Sequence, residues 1–288
     1  MICVTHWRPE VEHGADHRTE AANYPRQMSV PESYRLSVPQ QITLDIATPA
    51  RALAIGAHPD DVEFGCGATL AKWAADGGQI FHLICTDGSK GTWDADVDPA
   101  ELVTTRRREQ RNAAHTLGAG ADSVVFLDWS DGELESGLRQ RWEVAYWIRR
   151  FQPNVVLGHD PWRPYRIHPD HRHAGLLACE GIVAARDPKF FPEQGAAPHR
   201  PELLLLWEAA VVHHVEQVDG VALEAKVQAL LAHESQLETT MRMSHRPSGY
   251  ADNAMVEEFR ARIIAEAHDA GRLAGVETGE AFAAIRKL

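Results

Sequence analysis

The sequence has few cysteines, and none stands in a pattern that would make it structural. Its four cysteines, Cys3, Cys66, Cys85 and Cys179, lie far apart, and no C-x-x-C pair occurs. This spacing argues against a thiolate zinc cage and against a disulfide framework. At 288 residues the chain can bury a core without such staples.

The sequence also lacks a long apolar run and an excess of positive charge. The run Leu203 to Trp207 ends at Glu208, well short of the about 18–20 apolar residues that a membrane span needs. No basic start followed by an apolar segment marks a secretory signal, so we expect a cytoplasmic protein without a membrane span. The 29 basic and 41 acidic residues give a formal net charge of −12, which disfavours nucleic acid as a partner.

The glycine patterns of nucleotide-binding proteins are missing as well. The stretch Gly65-Cys66-Gly67 begins like G-x-G-x-x-G, but Leu70 stands where the third glycine should be. No lysine motif of the Walker type occurs either. Nucleotide binding is therefore not expected.

Short apolar runs alternate with helical patterns from residue 51 onward. Strands are predicted over 51–57, 79–85, 123–127, 153–158 and 203–208, and helices over 64–75, 98–117, 138–150 and 169–184. The chain from Leu223 onward is predicted to be mostly helical. This alternation predicts an α/β fold, Rossmann-like, with a mostly parallel sheet, helices on both faces and a helical C-terminal part. Residues 1–45 are predicted to form a polar N-terminal extension, and residues 46–288 a single domain.

The first candidate site follows the first predicted strand, where such sheets bind their ligands. The chain reads Ala57-His58-Pro59-Asp60-Asp61 there. Its nitrogen and oxygen ligands suit Zn²⁺, with Fe²⁺, Mn²⁺ and Co²⁺ as alternatives. Pro59 is predicted to lie in the first turn of a helix, so that His58 and Asp61 point to one side and Asp60 is free to act on water. A plain acidic helix start would explain Asp60 and Asp61 but not His58.

A second copy of this pattern, His168-Pro169-Asp170-His171, begins 110 positions after His58. The two motifs together offer four ligand candidates: His58, Asp61, His168 and His171. A catalytic zinc site commonly has three protein ligands and one open position, which would leave one histidine for catalysis. Among the 16 histidines, His159 and His173 are the nearest alternatives as ligands.

With these two motifs in this order, the sequence resembles the LmbE-like, or PIG-L, family of zinc-dependent de-N-acetylases. The resemblance implies that His58, Asp61 and His171 bind the metal and that Asp60 is the general base. It also implies that His168 assists the tetrahedral intermediate, and that Asp170 orients and charges His168.

The resemblance further implies which residues bind substrate. Arg106 is one, and Asp131, in the loop after the third strand, would bind a sugar hydroxyl. Some family members carry a tyrosine two residues before the second motif, where this chain has Arg166, and the arginine favours a negatively charged or hydroxyl-rich substrate. Segments 86–91 and 233–236 also match the family, the latter without an assigned role.

The implied activity is removal of an N-acetyl group from an N-acetylglucosamine-type sugar or conjugate, by metal-activated water. Either His168 or protonated Asp60 would then protonate the amine. The implied partner is a small amino sugar, and a homo-oligomer is compatible with the sequence. Two alternatives stay open: an amidase that cleaves a larger N-acyl group of the thiol-conjugate type, and a non-catalytic metal- or sugar-binding protein of the same fold. Asp60 argues against the second, because a binding protein needs no general base.

Overall fold

The computed structural model describes residues 41–243 and 253–288. Of the predicted N-terminal extension, residues 1–40 lie outside this part, as does Cys3. The strands are β1 (Thr43–Leu44), β2 (Arg51–Gly56), β3 (Gln79–Thr86), β4 (Val124–Trp129), β5 (Val155–His159), β6 (Leu203–Trp207), β7 (His214–Gln217) and β8 (Gly279–Ile285). The α-helices are α1 (Asp61–Ala75), α2 (Pro99–Thr116), α3 (Leu138–Phe151), α4 (Pro169–Arg186), α5 (Gly220–Leu231) and α6 (Asn253–Ala274).

The eight strands form a single open sheet in the order β1-β7-β8-β6-β5-β2-β3-β4. All neighbouring pairs are parallel except those of β8, which runs antiparallel to β6 and β7. The predicted α/β, mostly parallel fold is confirmed. The prediction that the chain after Leu223 is mostly helical holds for α5 and α6 but misses β8. Within residues 41–243 and 253–288, no helix is both long and apolar enough to cross a membrane.

Alternating side chains of β2 divide the core between the two faces of the sheet. Ala52 and Ala54 belong to the apolar cluster that also includes residues of α1, α2 and α5. Leu53 and Ile55 belong to the cluster on the other face, with residues of α3 and α4. All four side chains are fully buried, as expected for a central strand covered on both sides.

The order of the strands places a crevice at the end of β2. From β2 the chain proceeds to β3 and β4 on one side, and then returns to pair β5 with the other side of β2, with Ile55 opposite Gly158. At such a switch point the connections that leave the two adjacent strands run to opposite faces of the sheet, and the crevice between them, outside the carboxyl ends of the strands, is where this class of fold binds ligands. The two motifs follow the two strands that flank this crevice.

Helix α1 is interrupted at Cys66 (φ −153°, ψ 23°), which breaks its ladder of hydrogen bonds. The two side chains of a buried ion pair form hydrogen bonds with main-chain groups of α1 near this break. The Nζ of Lys226 donates to the carbonyl of Phe64 at 2.7 Å, and the carboxylate of Glu280 accepts from the main-chain N–H of Thr69 at 2.7 Å. Lys226 and Glu280 also pair with each other at 2.6 Å. Side chains therefore replace helical hydrogen bonds on both sides of the kink.

Candidate metal centre and active site

The first motif forms a tight turn between β2 and α1. Helix α1 begins at Asp61, and Asp60 before it has a φ of 111°, which is uncommon for a residue other than glycine. The main-chain N–H of His58 donates to the Asp61 carboxylate at 2.7 Å. Pro59 therefore precedes the helix, and the prediction that it lies in the first helical turn is wrong. The turn nevertheless brings His58 Nδ1 within 3.3 Å of Asp61 Oδ2.

The second motif is a true helix start, as predicted. His168 is the N-cap residue of α4, and Pro169 occupies the first helical position. The Nε2 of His171 lies 3.3 Å from Asp61 Oδ1. The ring of His168 lies 4.7 Å, between centroids, from those of His58 and His171. The two motifs thus meet across the crevice.

Ligand atoms of His58, Asp61 and His171 all lie within 4.8 Å of one another. His58 turns Nδ1 toward Asp61, while its Nε2 lies 3.2 Å from a carboxylate oxygen of Asp170. Metal-binding histidines commonly donate their second N–H to a carboxylate in this way, which orients the ring and fixes its tautomer. His58, Asp61 and His171 therefore fit a metal site, and we call them the metal triad.

Two other sets of three ligand atoms are equally close in the described residues: His58 with Asp131 and His168, and His159 with His171 and Glu208. The first set would need His58 Nε2, which already faces both Asp131 and Asp170 at 3.2 Å. In the second set Glu208 is already paired with Arg163 at 3.0 Å and Arg166 at 2.8 Å. Of the three sets, the metal triad is the one that can bind a metal while Asp170 still contacts His58 and Glu208 still pairs with its arginines.

Charge at the site also favours a cation. Four carboxylates are buried here with exposed fractions of 0–8%: Asp60, Asp61, Asp131 and Asp170. A guanidinium nitrogen of Arg106 lies 3.5 Å from Asp60. Buried carboxylates need a counter-charge or a metal ion, and a divalent cation held by the metal triad would supply one. Donors of this kind suit Zn²⁺ as well as Fe²⁺, Mn²⁺ and Co²⁺.

The pKa values of the neighbouring aspartates Asp60 and Asp61 are shifted in opposite directions. Burial raises the pKa of the Asp60 carboxyl above its usual value, although Arg106 acts against this. Burial acts on Asp61 in the same direction, but His171 and His159 outweigh it and hold the pKa of Asp61 well below its usual value. Two carboxyls whose pKa values are pushed apart suit two roles, an ionised ligand and a group that exchanges a proton.

The structure places Asp170 on a different partner from the one predicted. Its carboxylate accepts hydrogen bonds from the main-chain N–H groups of Gly132 at 2.7 Å and Leu134 at 3.2 Å, and it contacts His58. The described residues include no hydrogen bond from Asp170 to His168. Asp170 is fully buried beneath the loop after β4, which explains why it reaches His58 and leaves His168 exposed.

Of the predicted substrate-binding residues, Asp131 lies at the centre and Arg106 lies beneath it. The carboxylate of Asp131 is 3.2 Å from His58 Nε2 and accepts from the N–H of Lys90 at 3.0 Å. Arg106 is only 3% exposed and donates to the carbonyls of Pro59 at 2.6 Å and Gly88 at 3.0 Å. Arg166 is paired with Glu208, as described above. Both arginines thus have protein partners.

Sequence reasoning gave little weight to His159, which the structure places against the metal triad. His159 ends β5 and is 1% exposed, and its Nε2 lies 3.2 Å from Asp61 Oδ2. Its position at the end of a predicted strand, on the ligand-binding edge, was the available signal. His173, the other alternative ligand, instead has its Nδ1 3.1 Å from the main-chain N–H of Ser136.

A cavity of about 470 Å³ opens beside Asp61 and His171 and extends to Arg242, Arg262 and Glu266. It provides access to the metal triad from solvent. A larger cavity of about 560 Å³ lies among β7, α5 and α6, and none of its lining residues belongs to either motif. The smaller cavity is therefore the candidate active-site cavity.

The family model described as PIG-L, GlcNAc-PI de-N-acetylase, matches residues 53–181, which include both motifs. A diacetylchitobiose deacetylase of Thermococcus kodakarensis is 36% identical over 189 residues, which cover 65% of this chain and 70% of that protein. A 1D-myo-inositol 2-acetamido-2-deoxy-alpha-D-glucopyranoside deacetylase of Streptomyces avermitilis is 29% identical, and the match covers 57% of this chain and 60% of that protein.

Among solved structures, N,N'-diacetylchitobiose deacetylase from Pyrococcus horikoshii, complexed with an inhibitor, superimposes with a TM-score of 0.72. It is 28% identical in sequence, and the match covers 83% of this chain and 84% of the other. These relatives are enzymes that hydrolyse an amide bond, and so is this protein. The chain belongs to the PIG-L family of de-N-acetylases.

Proposed function

We propose that this protein removes the N-acetyl group from an N-acetylglucosamine-type sugar or conjugate in a zinc-dependent reaction. The observation that carries the proposal is the metal triad with Asp60 beside it, a buried carboxyl whose pKa is raised. The named substrates of the two deacetylases described above, a chitobiose and an inositol glucoside, support the class of sugar.

Zinc held by His58, Asp61 and His171 would lower the pKa of a water molecule and polarise the amide carbonyl of the substrate. Asp60 takes a proton from the attacking water as general base. Its main chain and its carboxylate are both held in place, the latter 3.5 Å from Arg106, which favours a fixed direction of attack. A general base of this kind typically contributes about 10²- to 10⁴-fold to a rate.

His168 is the residue we assign to the developing oxyanion. It lies on the exposed side of the metal triad, next to both histidine ligands. Burial lowers the pKa of His168, and the nearby His58 and His171 lower it further. A neutral ring can still donate one N–H to an oxyanion. Asp60, once it has taken the proton of the attacking water, can return it to the leaving amine, and His168 is the alternative acid.

Asp131 is the residue we assign to a sugar hydroxyl, because its carboxylate lies beside His58 at the edge of the centre. Arg106 and Arg166 are weaker candidates, since each would have to leave a protein partner to contact substrate. We assign Arg106 first to the support of the Asp60 turn through its bond to Pro59.

Elemental analysis of the purified protein, together with a panel of N-acyl glucosaminides, tests the proposal. We expect about one zinc ion per chain and release of a primary amine from N-acetylglucosaminides. Turnover only of larger N-acyl conjugates would favour the amidase alternative. Stoichiometric metal without turnover of any amide would favour a non-catalytic binding protein.

A further inference from the structure

Asp60, the general base of the proposed function, has an unusual backbone conformation. Asp60 has a φ of 111°, a region that side chains other than glycine rarely adopt. Such a conformation persists only when its surroundings hold it. The contact made directly to the Asp60 N–H is a hydrogen bond of 2.9 Å to Oε1 of Gln110, a residue of α2, in addition to the bond from Arg106 to the Pro59 carbonyl.

The amide of Gln110 can satisfy Asp60 in only one of its two orientations. Its Nε2 donates at 2.7 Å to Oε1 of Glu63, and both side chains are fully buried. A carboxylate only accepts hydrogen bonds, so the NH₂ end of the amide must face Glu63. The oxygen end then faces the N–H of Asp60. In the flipped amide, two donors would oppose each other at Asp60.

Two buried histidines flank Glu63. Oε1 of Glu63 lies 3.5 Å from Nδ1 of His82, and Oε2 lies 3.5 Å from Nε2 of His233. His233 opens the segment 233–236, which matched the family without an assigned role. All three side chains are fully buried and form a layer beneath the turn of the first motif.

We propose that Gln110 is a positioning residue for Asp60, and that Glu63 selects the orientation of the Gln110 amide. Gln110 sets the backbone angle at Asp60 and so the direction of its carboxyl, while the metal triad is held by other contacts. This inference rests on the proposed role of Asp60 as general base. It predicts that loss of Gln110 slows the chemical step and leaves zinc in place.

The variant Gln110→Leu removes the hydrogen-bond acceptor and replaces the amide with an apolar side chain of similar size. We expect kcat to fall about 10- to 100-fold, because a reacting group displaced by about 1 Å costs on that order. The KM is expected to stay within about threefold of the wild-type value, since ground-state binding is untouched. Zinc content is expected to remain at about one per chain. If Gln110→Leu does not fold, Gln110→Asn tests the same point, because it withdraws the acceptor by one methylene group.

Glu63 offers a rescue experiment that a purely structural role would not produce. Glu63→Ala leaves the NH₂ end of the Gln110 amide with only a 3.4 Å contact to His82 Nδ1, and it is expected to lower kcat as Gln110→Leu does. Glu63→Gln can still present an oxygen to Gln110 Nε2 and is expected to restore most of the lost kcat. Equal kcat in Glu63→Ala and Glu63→Gln would overturn the assignment of Glu63.

Gln194→Leu is the matched control. This glutamine accepts from Arg149 at 2.9 Å and donates to the carbonyl of Trp142 at 2.7 Å, on the face of the sheet that carries α3. Its loss is expected to lower thermal stability with wild-type kcat. Wild-type kcat in folded Gln110→Leu, beside an inactive Asp60→Asn variant, would overturn the positioning role and leave the proposed function standing. An active Asp60→Asn variant would instead overturn the proposed function itself.

Discussion

The indole N–H of Trp207 donates a 3.0 Å hydrogen bond to Nδ1 of His159. An indole nitrogen only donates, so Nδ1 accepts, and the neutral ring carries its proton on Nε2. Nε2 is the nitrogen that lies 3.2 Å from Asp61 Oδ2. His159 thus turns an N–H, and no lone pair, toward the metal triad. A Cβ on Gly65 would lie 2.4 Å from the Trp207 ring, so a glycine in α1 permits this packing.

This tautomer predicts different effects for two neighbouring histidines. His159→Ala is expected to keep about one metal ion per chain, with affinity lowered about tenfold because Asp61 loses an orienting partner. His171→Ala is expected to lose the metal. Elemental analysis and competition with a chelator measure both quantities. Metal loss in His159→Ala, with metal retained in His171→Ala, would make His159 the third ligand.

The carboxylate of Asp170 is expected to act on metal affinity through His58. In Asp170→Asn, the NH₂ group must replace either Oδ2, where it would face both His58 and the N–H of Gly132, or Oδ1, where it would face the N–H of Leu134. We expect the zinc dissociation constant to rise about 10- to 100-fold, as is typical when the partner of a histidine ligand is removed.

Asp219→Asn is the control for this measurement. Asp219 caps α5 by accepting from the N–H of Ala222 at 2.8 Å, and asparagine caps a helix as well as aspartate does. Zinc affinity is expected to be unchanged in this variant. An unchanged zinc affinity in Asp170→Asn would show that His58 does not need its carboxylate partner.

The central strands of this fold could be predicted because each is an apolar run followed by a helical pattern. Strands β7 and β8 could not be predicted in this way. His214–Gln217 spans four residues of mixed polarity, and Gly279–Ile285 is rich in alanine. They become strands by pairing with each other, with β7 also pairing with β1 and β8 with β6, and a single-sequence pattern does not show such contacts.

Part of the candidate site could likewise be predicted from the sequence and part could not. The residues His58, Asp61 and His171 could be proposed from two short motifs at one edge of the sheet. The partner of Asp170 could not, because it depends on how the loop after β4 packs over α4. The bond from Asp60 to Gln110 joins positions 50 residues apart, and nothing in the local sequence of α2 marks that glutamine.

The buried pair Lys226–Glu280 is expected to contribute strongly to stability. Lys226→Met would leave the Glu280 carboxylate buried without its cation and the carbonyl of Phe64 without its donor. We expect a loss of about 3–5 kcal/mol in the free energy of unfolding, measured by urea titration. Arg272→Met, at the exposed pair with Asp269, is expected to change it by less than about 0.5 kcal/mol. Equal effects would show that the buried pair contributes no more to stability than the exposed one.

Glu208 is expected to make the stability of the fold depend on pH in the acid range. Burial raises the pKa of its carboxyl, but hydrogen-bonding and charged neighbours, among them the Arg166 guanidinium at 2.8 Å, outweigh burial and bring the pKa down from 4.5 to about 2. Because the folded pKa lies below the unfolded one, this carboxylate stabilises the fold fully above about pH 4.5, and the contribution disappears as the pH falls toward 2. Glu208→Gln should therefore lose less stability than the wild type between pH 4.5 and pH 2. Parallel curves of urea midpoint against pH would contradict this account.

In the proposed mechanism a zinc ion held by His58, Asp61 and His171 works with Asp60 as a separate general base. Asp60→Asn tests it most directly, because asparagine keeps the shape, tolerates the left-handed backbone and cannot take the proton. The measurement is kcat for an N-acetylglucosaminide together with zinc content of the same preparation. We predict a fall in kcat of about 100-fold or more, with zinc still at about one per chain. Undiminished turnover, or loss of zinc with turnover, would contradict the account.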